Sequence, residues 1–211
     1  MSSECAPPPS VRVFESASLI LTSSSIVSNG GTNAFGIRTS SAAPLTMNGT
    51  GIEGFSDAGI EMTGSGKLAV DGSSFRGNAI GISARGATTN PSDITVTGTT
   101  LSSFNSNVEA SVFKLRRSNL FGRIGILIVG AEADLSTTIR ADLGTLADPG
   151  GNTIHAGETG VRFNQSTNRG TVQAVGKPGT RTRRARTPAG ATRCTSWCSA
   201  WARAPAGRTS T

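Results

Sequence analysis

The 211-residue sequence contains no tyrosine, two tryptophans, three cysteines and one histidine. Each shortage excludes a class of chemistry. His155 has no Cys or His near it in the chain, and Cys194 and Cys198 form only a C-x3-C pair. Zinc sites take three or four such ligands, so none is expected. The longest apolar run, IGILIV at 124–129, is far short of the roughly 20 residues that cross a bilayer as a helix. The opening MSSECAPPPS lacks the apolar core of a signal peptide. No phosphate-binding loop of the Walker type, no Rossmann glycine pattern and no Gly-x-Ser-x-Gly elbow occurs, which leaves nucleotide-dependent and α/β-hydrolase chemistry without a motif.

Acidic residues are also missing from one region. Residues 177–211 hold eight of the 20 Lys and Arg and none of the 13 Asp and Glu. Setting those eight aside leaves 12 basic against 13 acidic residues, a net charge of −1. The formal charge of +7 therefore belongs to the C-terminal segment alone. Both tryptophans, Trp197 and Trp201, lie there too. A basic run of this kind is the usual electrostatic footprint of nucleic-acid binding, but the rest of the chain gives no such signal.

What is abundant is Gly, Ser, Thr and Asn between short apolar pairs. LILTSSSIVSN from Leu19, LTMNGTGIEGF from Leu45, LAVDGSSFRGN from Leu68 and ITVTGTTLSSF from Ile94 align without gaps. Each is apolar at its first, third and eighth positions. The starts lie 26, 23 and 26 residues apart. Shorter elements precede them: Val11-Arg12-Val13, Ile37-Arg38-Thr39, Ile60-Glu61-Met62 and Ile82-Ser83-Ala84. Alternation with period two marks strands, and the intervening segments are too short for crossover helices. A period near 25 residues is that of a solenoid. The expected fold is all-β, a right-handed parallel β-helix over residues 11–176. Residues 1–10 are expected to be a disordered N-terminus and 177–211 a disordered basic tail.

Stacking the coils brings equal positions into columns. Arg38 falls on Glu61 and Glu53 on Arg76, both opposite-charge neighbours. Asn48, Asp71 and Thr97 form an outward polar column. Asn29, Phe55, Asn78 and Phe104 align at a turn, as a structural ladder of the kind that stabilises stacked strands. Beyond Leu101 the repeat loosens. Arg116-Arg117 are expected in a solvated turn, and Asp-Pro-Gly-Gly at 148–151 marks a further turn.

The coils LTMNGTGIEGFSDAGIEM and LAVDGSSFRGNAIGISA resemble bacterial pectate-lyase-like parallel β-helix proteins. More narrowly, IRADLGTLADPGGNTI followed by TVQAVG resembles the end of a bacterial family of unknown function with that fold. The resemblance covers residues 11–176 and implies an exported or cell-surface protein with polysaccharide as partner. In that family the AVG element is typically followed by a motif of the form NTWNPN…QGAD. This chain departs from it after Gly176. A coding sequence for KPGTRTRRARTPAGATR with one base restored reads NTWNPNTQGADASGRYT. The segment from Lys177 onward is therefore expected to be a frameshift product, and the start inside a coil stack to reflect truncation.

Enzymes of that resemblance need clustered carboxylates, and glycoside hydrolysis needs two at a fixed separation. Asp57, Glu61, Glu53 and Asp71 fall within two coils, but no column stacks two acids. Asn48, Asp71, Asp57 and Glu61 are the candidate ligand-binding residues. No catalytic or metal residue is assigned, and His155 is read as polar surface. No cofactor is expected from the residues, while the resemblance admits Ca²⁺. The leading reading is a non-catalytic secreted or cell-surface module, structural or glycan-binding. The alternatives are a degenerate or truncated polysaccharide lyase or hydrolase, and polyanion or nucleic-acid binding through the basic tail.

Overall fold

A computed structural model of the chain describes residues 10–14, 16–29, 34–40, 42–84, 93–110, 112–129, 139–163 and 171–175. The basic tail and residues 1–9 lie outside them. Among the described residues there is no helix, and none therefore long and apolar enough to cross a membrane.

The strands fall into two sheets, and every strand pair is parallel. The second sheet collects β2 (Leu19–Thr22), β5 (Leu45–Asn48), β8 (Lys67–Asp71), β10 (Asp93–Thr97), β12 (Phe113–Arg116), β14 (Ile139–Asp142) and β16 (Thr171–Gln173). The first sheet begins with short strands: β1 (Val11–Val13), β3 (Ser25–Val27), β4 (Phe35–Thr39), β6 (Gly51–Glu53) and β7 (Ala58–Met62). It continues with the longer β9 (Ser74–Ala84), β11 (Thr100–Ala110), β13 (Asn119–Ile128) and β15 (Thr153–Phe163). The first half of β9 pairs with β6 and its second half with β7. Each long strand thus does the work of two short ones joined through a bend. The chain alternates between sheets and climbs by one strand spacing per coil, an arrangement consistent with a parallel β-helix.

Apolar residues at matching positions stack inside. Leu45, Leu68, Ile94 and Phe113 are in register and each is at most 2% exposed. Ile52, Phe75, Leu101 and Leu120 form a second buried column, and Ile37, Ile60, Ile82 and Val108 a third. One continuous core follows, in which each coil is buried by its neighbours. Where the chain turns inward, the coils close on glycine. A Cβ on Gly59 would lie 2.8 Å from the Gly81 carbonyl oxygen, and one on Gly36 would lie 2.6 Å from that of Gly59.

The repeat does not end at Leu101. It shortens: Phe113 lies opposite Ile94, only 19 residues on, and the next steps lengthen to Ala141 and Val172. A column survives such changes because only the strands must stay in register, while the turns between them absorb insertions.

The corner leading from the second sheet into the first is built from buried side-chain oxygens. Thr50, Ser73, Thr99 and Ser118 are each at most 4% exposed. The Thr50 amide donates to Ser73 Oγ at 3.1 Å, the Ser73 amide to Thr99 Oγ1 at 3.3 Å, and the Thr99 amide to Ser118 Oγ at 3.2 Å. The Ser118 amide then donates to Asn152 Oδ1 at 3.1 Å. Each hydroxyl in turn donates to the carbonyl two residues before it, at 2.8 Å from Ser73, Thr99 and Ser118 and 3.2 Å from Thr50. The residue just before each is left-handed: Gly49, Gly72, Gly98, Arg117 and Gly151 have φ between 48° and 61°. That conformation suits glycine and turns the next side chain into the core.

The neighbouring corner departs from the expected ladder. Asn78 is fully buried; its Oδ1 accepts from the Phe55 amide and its Nδ2 donates to the Ile52 carbonyl. Phe55 is 1% exposed, but Phe104 is 72% exposed. Register shifts in β11 put Ser103, not Phe104, opposite Asn78. The extra residues push Phe104 outward, and Asn107 serves this corner instead by accepting from the Ser103 amide at 3.1 Å. Asn29 is exposed.

Removing one ladder hydroxyl leaves a buried amide without an acceptor, a loss of about 1–3 kcal/mol. Thr99→Ala is expected to lower unfolding stability by that amount in urea titration, and Thr99→Ser by much less. Equal losses for the two substitutions would assign the effect to the methyl group instead.

Candidate functional site

Of the four candidate ligand residues, the structure brings two together. Asn48 and Asp71 are register partners on the outer face of the second sheet, and Thr97 follows in the same column. Their inward neighbours Met47, Val70 and Val96 are buried, so pleating alone points the polar residues out. A groove of about 350 Å³ crosses this face, lined by Thr46, Asn48, Ala69, Asp71, Thr95, Thr97 and Arg117 together with edges of Met47 and Val70. Hydroxyls, one amide, one carboxylate and one guanidinium therefore line this face across four coils. Asp57 and Glu61 lie elsewhere. Asp57 is exposed beside β7 in the first sheet. Glu61 is engaged by Arg38 at 2.7 Å. The second charge column differs. Glu53 and Arg76 are register partners, yet among the described residues no ion pair joins them; both line a smaller groove of about 260 Å³ on the first sheet.

Carboxylates do not gather at the larger groove. Asp71 is the only acid lining the larger groove. Among the described residues no three His, Cys, Asp or Glu side chains converge as metal ligands. A Ca²⁺ cage takes six to eight oxygens, several of them from carboxylates, so the residues present do not fit the ion that the resemblance admits.

The strongest electrostatic cluster was not legible in the sequence. Arg116 is not in a solvated turn; it is 3% exposed. Its Nη2 donates to both oxygens of Asp142 at 2.8 and 2.9 Å, its Nε to Asp148 at 2.7 Å, and its Nη1 to the Asp142 carbonyl at 2.9 Å. Lys114 adds a contact to Asp148 at 3.7 Å. The cluster pins the 145–150 loop against β12 and β14. Burial pulls the Arg116 pKa down, but hydrogen bonds to Asp142 and Asp148 outweigh it and the net shift is upward. The hydrogen bond from Arg116 holds Asp148 below the ordinary value of 3.8. The only sequence cue would have been the alignment of Lys114 with Asp142, and the irregular coil spacing hides it.

Two further residues matter to the outer surface. Arg117, at φ 48°, takes the left-handed position that Gly49, Gly72, Gly98 and Gly151 hold in other coils and Ser23, at φ 47°, in the first, and it lines the groove with a cation. His155 lies exposed in β15, and its ring stacks on Phe121 with centroids 5.0 Å apart and planes 5° from parallel.

A carboxylate with a depressed folded pKa stabilises the fold above its unfolded pKa and loses that contribution as pH falls through the folded value. Stability is therefore expected to fall as pH drops below about 4, and Asp148→Asn to flatten that part of the profile. Identical acid profiles for the two proteins would contradict the assignment. Arg117→Gly relieves a left-handed non-glycine residue and is expected to raise stability by about 1 kcal/mol in urea titration; a loss of stability would show that the side chain contributes more than the backbone costs.

Compared with known proteins, the chain matches no family model, no curated protein and no solved structure.

Proposed function

We propose that the chain is a non-catalytic, secreted or cell-surface right-handed parallel β-helix module of the pectate-lyase-like kind, and that it binds glycan along the outer face of the second sheet. The observation that carries this reading is the groove over Asn48, Asp71 and Thr97. Stacked coils repeat a polar position every ~4.8 Å, so the groove offers donors and acceptors at a regular interval along its length. That suits a linear, hydroxyl-rich polymer better than a compact metabolite. Asp71, Asn48 and Arg117 can pair with sugar hydroxyls in both directions, and Thr46, Thr95 and Thr97 add neutral partners.

Binding rather than turnover is favoured by the acid count. Hydrolysis requires an acid and a second carboxylate within about 5–10 Å across one groove, and this groove carries Asp71 alone.

A glycan array followed by titration calorimetry tests the reading. One or more polysaccharides should bind, and Asp71→Ala should weaken binding about tenfold, the loss of a hydrogen bond to a charged group. No new reducing ends or unsaturated products should appear on long incubation. Absence of any glycan ligand would remove the reading. Cleavage abolished by Asp71→Ala would replace it with an enzyme.

A further inference from the structure

We propose that the depression over Ser102, on the outer face of the first sheet, binds a planar aromatic anion. The site stands on residues separate from the groove of the second sheet. Ser102 sits in a column whose register runs Glu53, Arg76, Ser102, Phe121, His155. Its two neighbours are large and its own side chain is small. Phe121 is 41% exposed. One face of its ring is covered by His155, with centroids 5.0 Å apart. That separation is close to the strand spacing of about 4.8 Å, so the stack runs along the column and the other ring face looks toward the space over Ser102.

On the far side stands Arg76, two strand spacings or about 9.6 Å from Phe121 along the column. That distance takes one flat ring between the two. Arg76 is exposed and, among the described residues, has no ion pair, even with its register neighbour Glu53. The space over the small Ser102 side chain is therefore flanked by a ring face on one side and a cation on the other, with a hydroxyl beneath.

These features select the ligand class. A flat aromatic ring continues the Phe121–His155 stack, which a puckered sugar ring does less well. The guanidinium favours a carboxylate or sulfonate, which it can hold through paired hydrogen bonds. An aryl carboxylate satisfies both ends of the site.

The test is titration calorimetry of the full chain with 4-hydroxybenzoate, its neutral amide 4-hydroxybenzamide, and cellobiose. The acid should bind, the amide about tenfold more weakly, and cellobiose not at this site. Ser102→Phe fills the depression with a ring and should abolish binding without lowering the thermal midpoint. Phe121→Ala should weaken binding roughly tenfold, and Arg76→Gln should remove the preference for acid over amide. All three positions face outward, and any one of these variants decides the matter if another fails to fold. No binding by the unmodified protein, or binding unaffected by Ser102→Phe, would overturn the proposal. Competition by cellobiose at equal affinity would overturn the aromatic class and assign the depression to sugars. Neither result bears on Asp71.

Discussion

The structure depends on one line of buried hydrogen bonds. At the corner between the sheets, amides that point along the stack have no strand partner to meet them. Thr50, Ser73 and Thr99 meet this by donating to the hydroxyl of the next coil, and Ser118 by donating to Asn152. A buried amide without an acceptor costs more than a typical hydrogen bond returns, so the line must be continuous. It also fixes register. If one coil slipped by a residue, its hydroxyl would leave the column and its apolar strand residues would face solvent.

The left-handed residue before each hydroxyl links this line to the sequence. Asn48-Gly49-Thr50, Asp71-Gly72-Ser73 and Thr97-Gly98-Thr99 each read as outward polar, left-handed turn, inward hydroxyl. The same turn therefore sets both the buried interior corner and the outward column that lines the groove. Asn48-Gly49-Thr50 resembles a glycosylation sequon, but its Thr50 is 1% exposed because it belongs to the ladder.

The coils up to Leu101 were legible because their period is nearly constant and their apolar positions recur. Leu19, Leu45, Leu68 and Ile94 are in register as their alignment implies. What failed was whatever depended on a change of spacing. The 19-residue step to Phe113 broke the period while keeping the register. The shifts in β11 expelled Phe104 and handed its corner to Asn107. Arg116 looked like half of a solvated basic pair because its acids, Asp142 and Asp148, lie beyond an irregular connection. The candidate site was half legible for the same reason. Asn48 and Asp71 share a strand position in the regular coils, whereas Asp57 and Glu61 were grouped with them by closeness in sequence; Glu61 lies in the other sheet and Asp57 just before the same strand.

Two parallel sheets stacked in this way offer function on their outer faces, because the interior between them is packed with side chains. On the second sheet that face is polar; on the first it carries the Phe121–His155 stack and an exposed Arg76. Both rest on coils held in register by the ladder. Native-state hydrogen exchange at the amides of Thr50, Ser73, Thr99 and Ser118, resolved by NMR, measures that line directly. All four are expected to exchange as slowly as the core-strand amides of Met47 and Val70, opening only when the whole stack unfolds. Exchange at the rate of exposed turn amides would show that the corner is open and that something else holds the register.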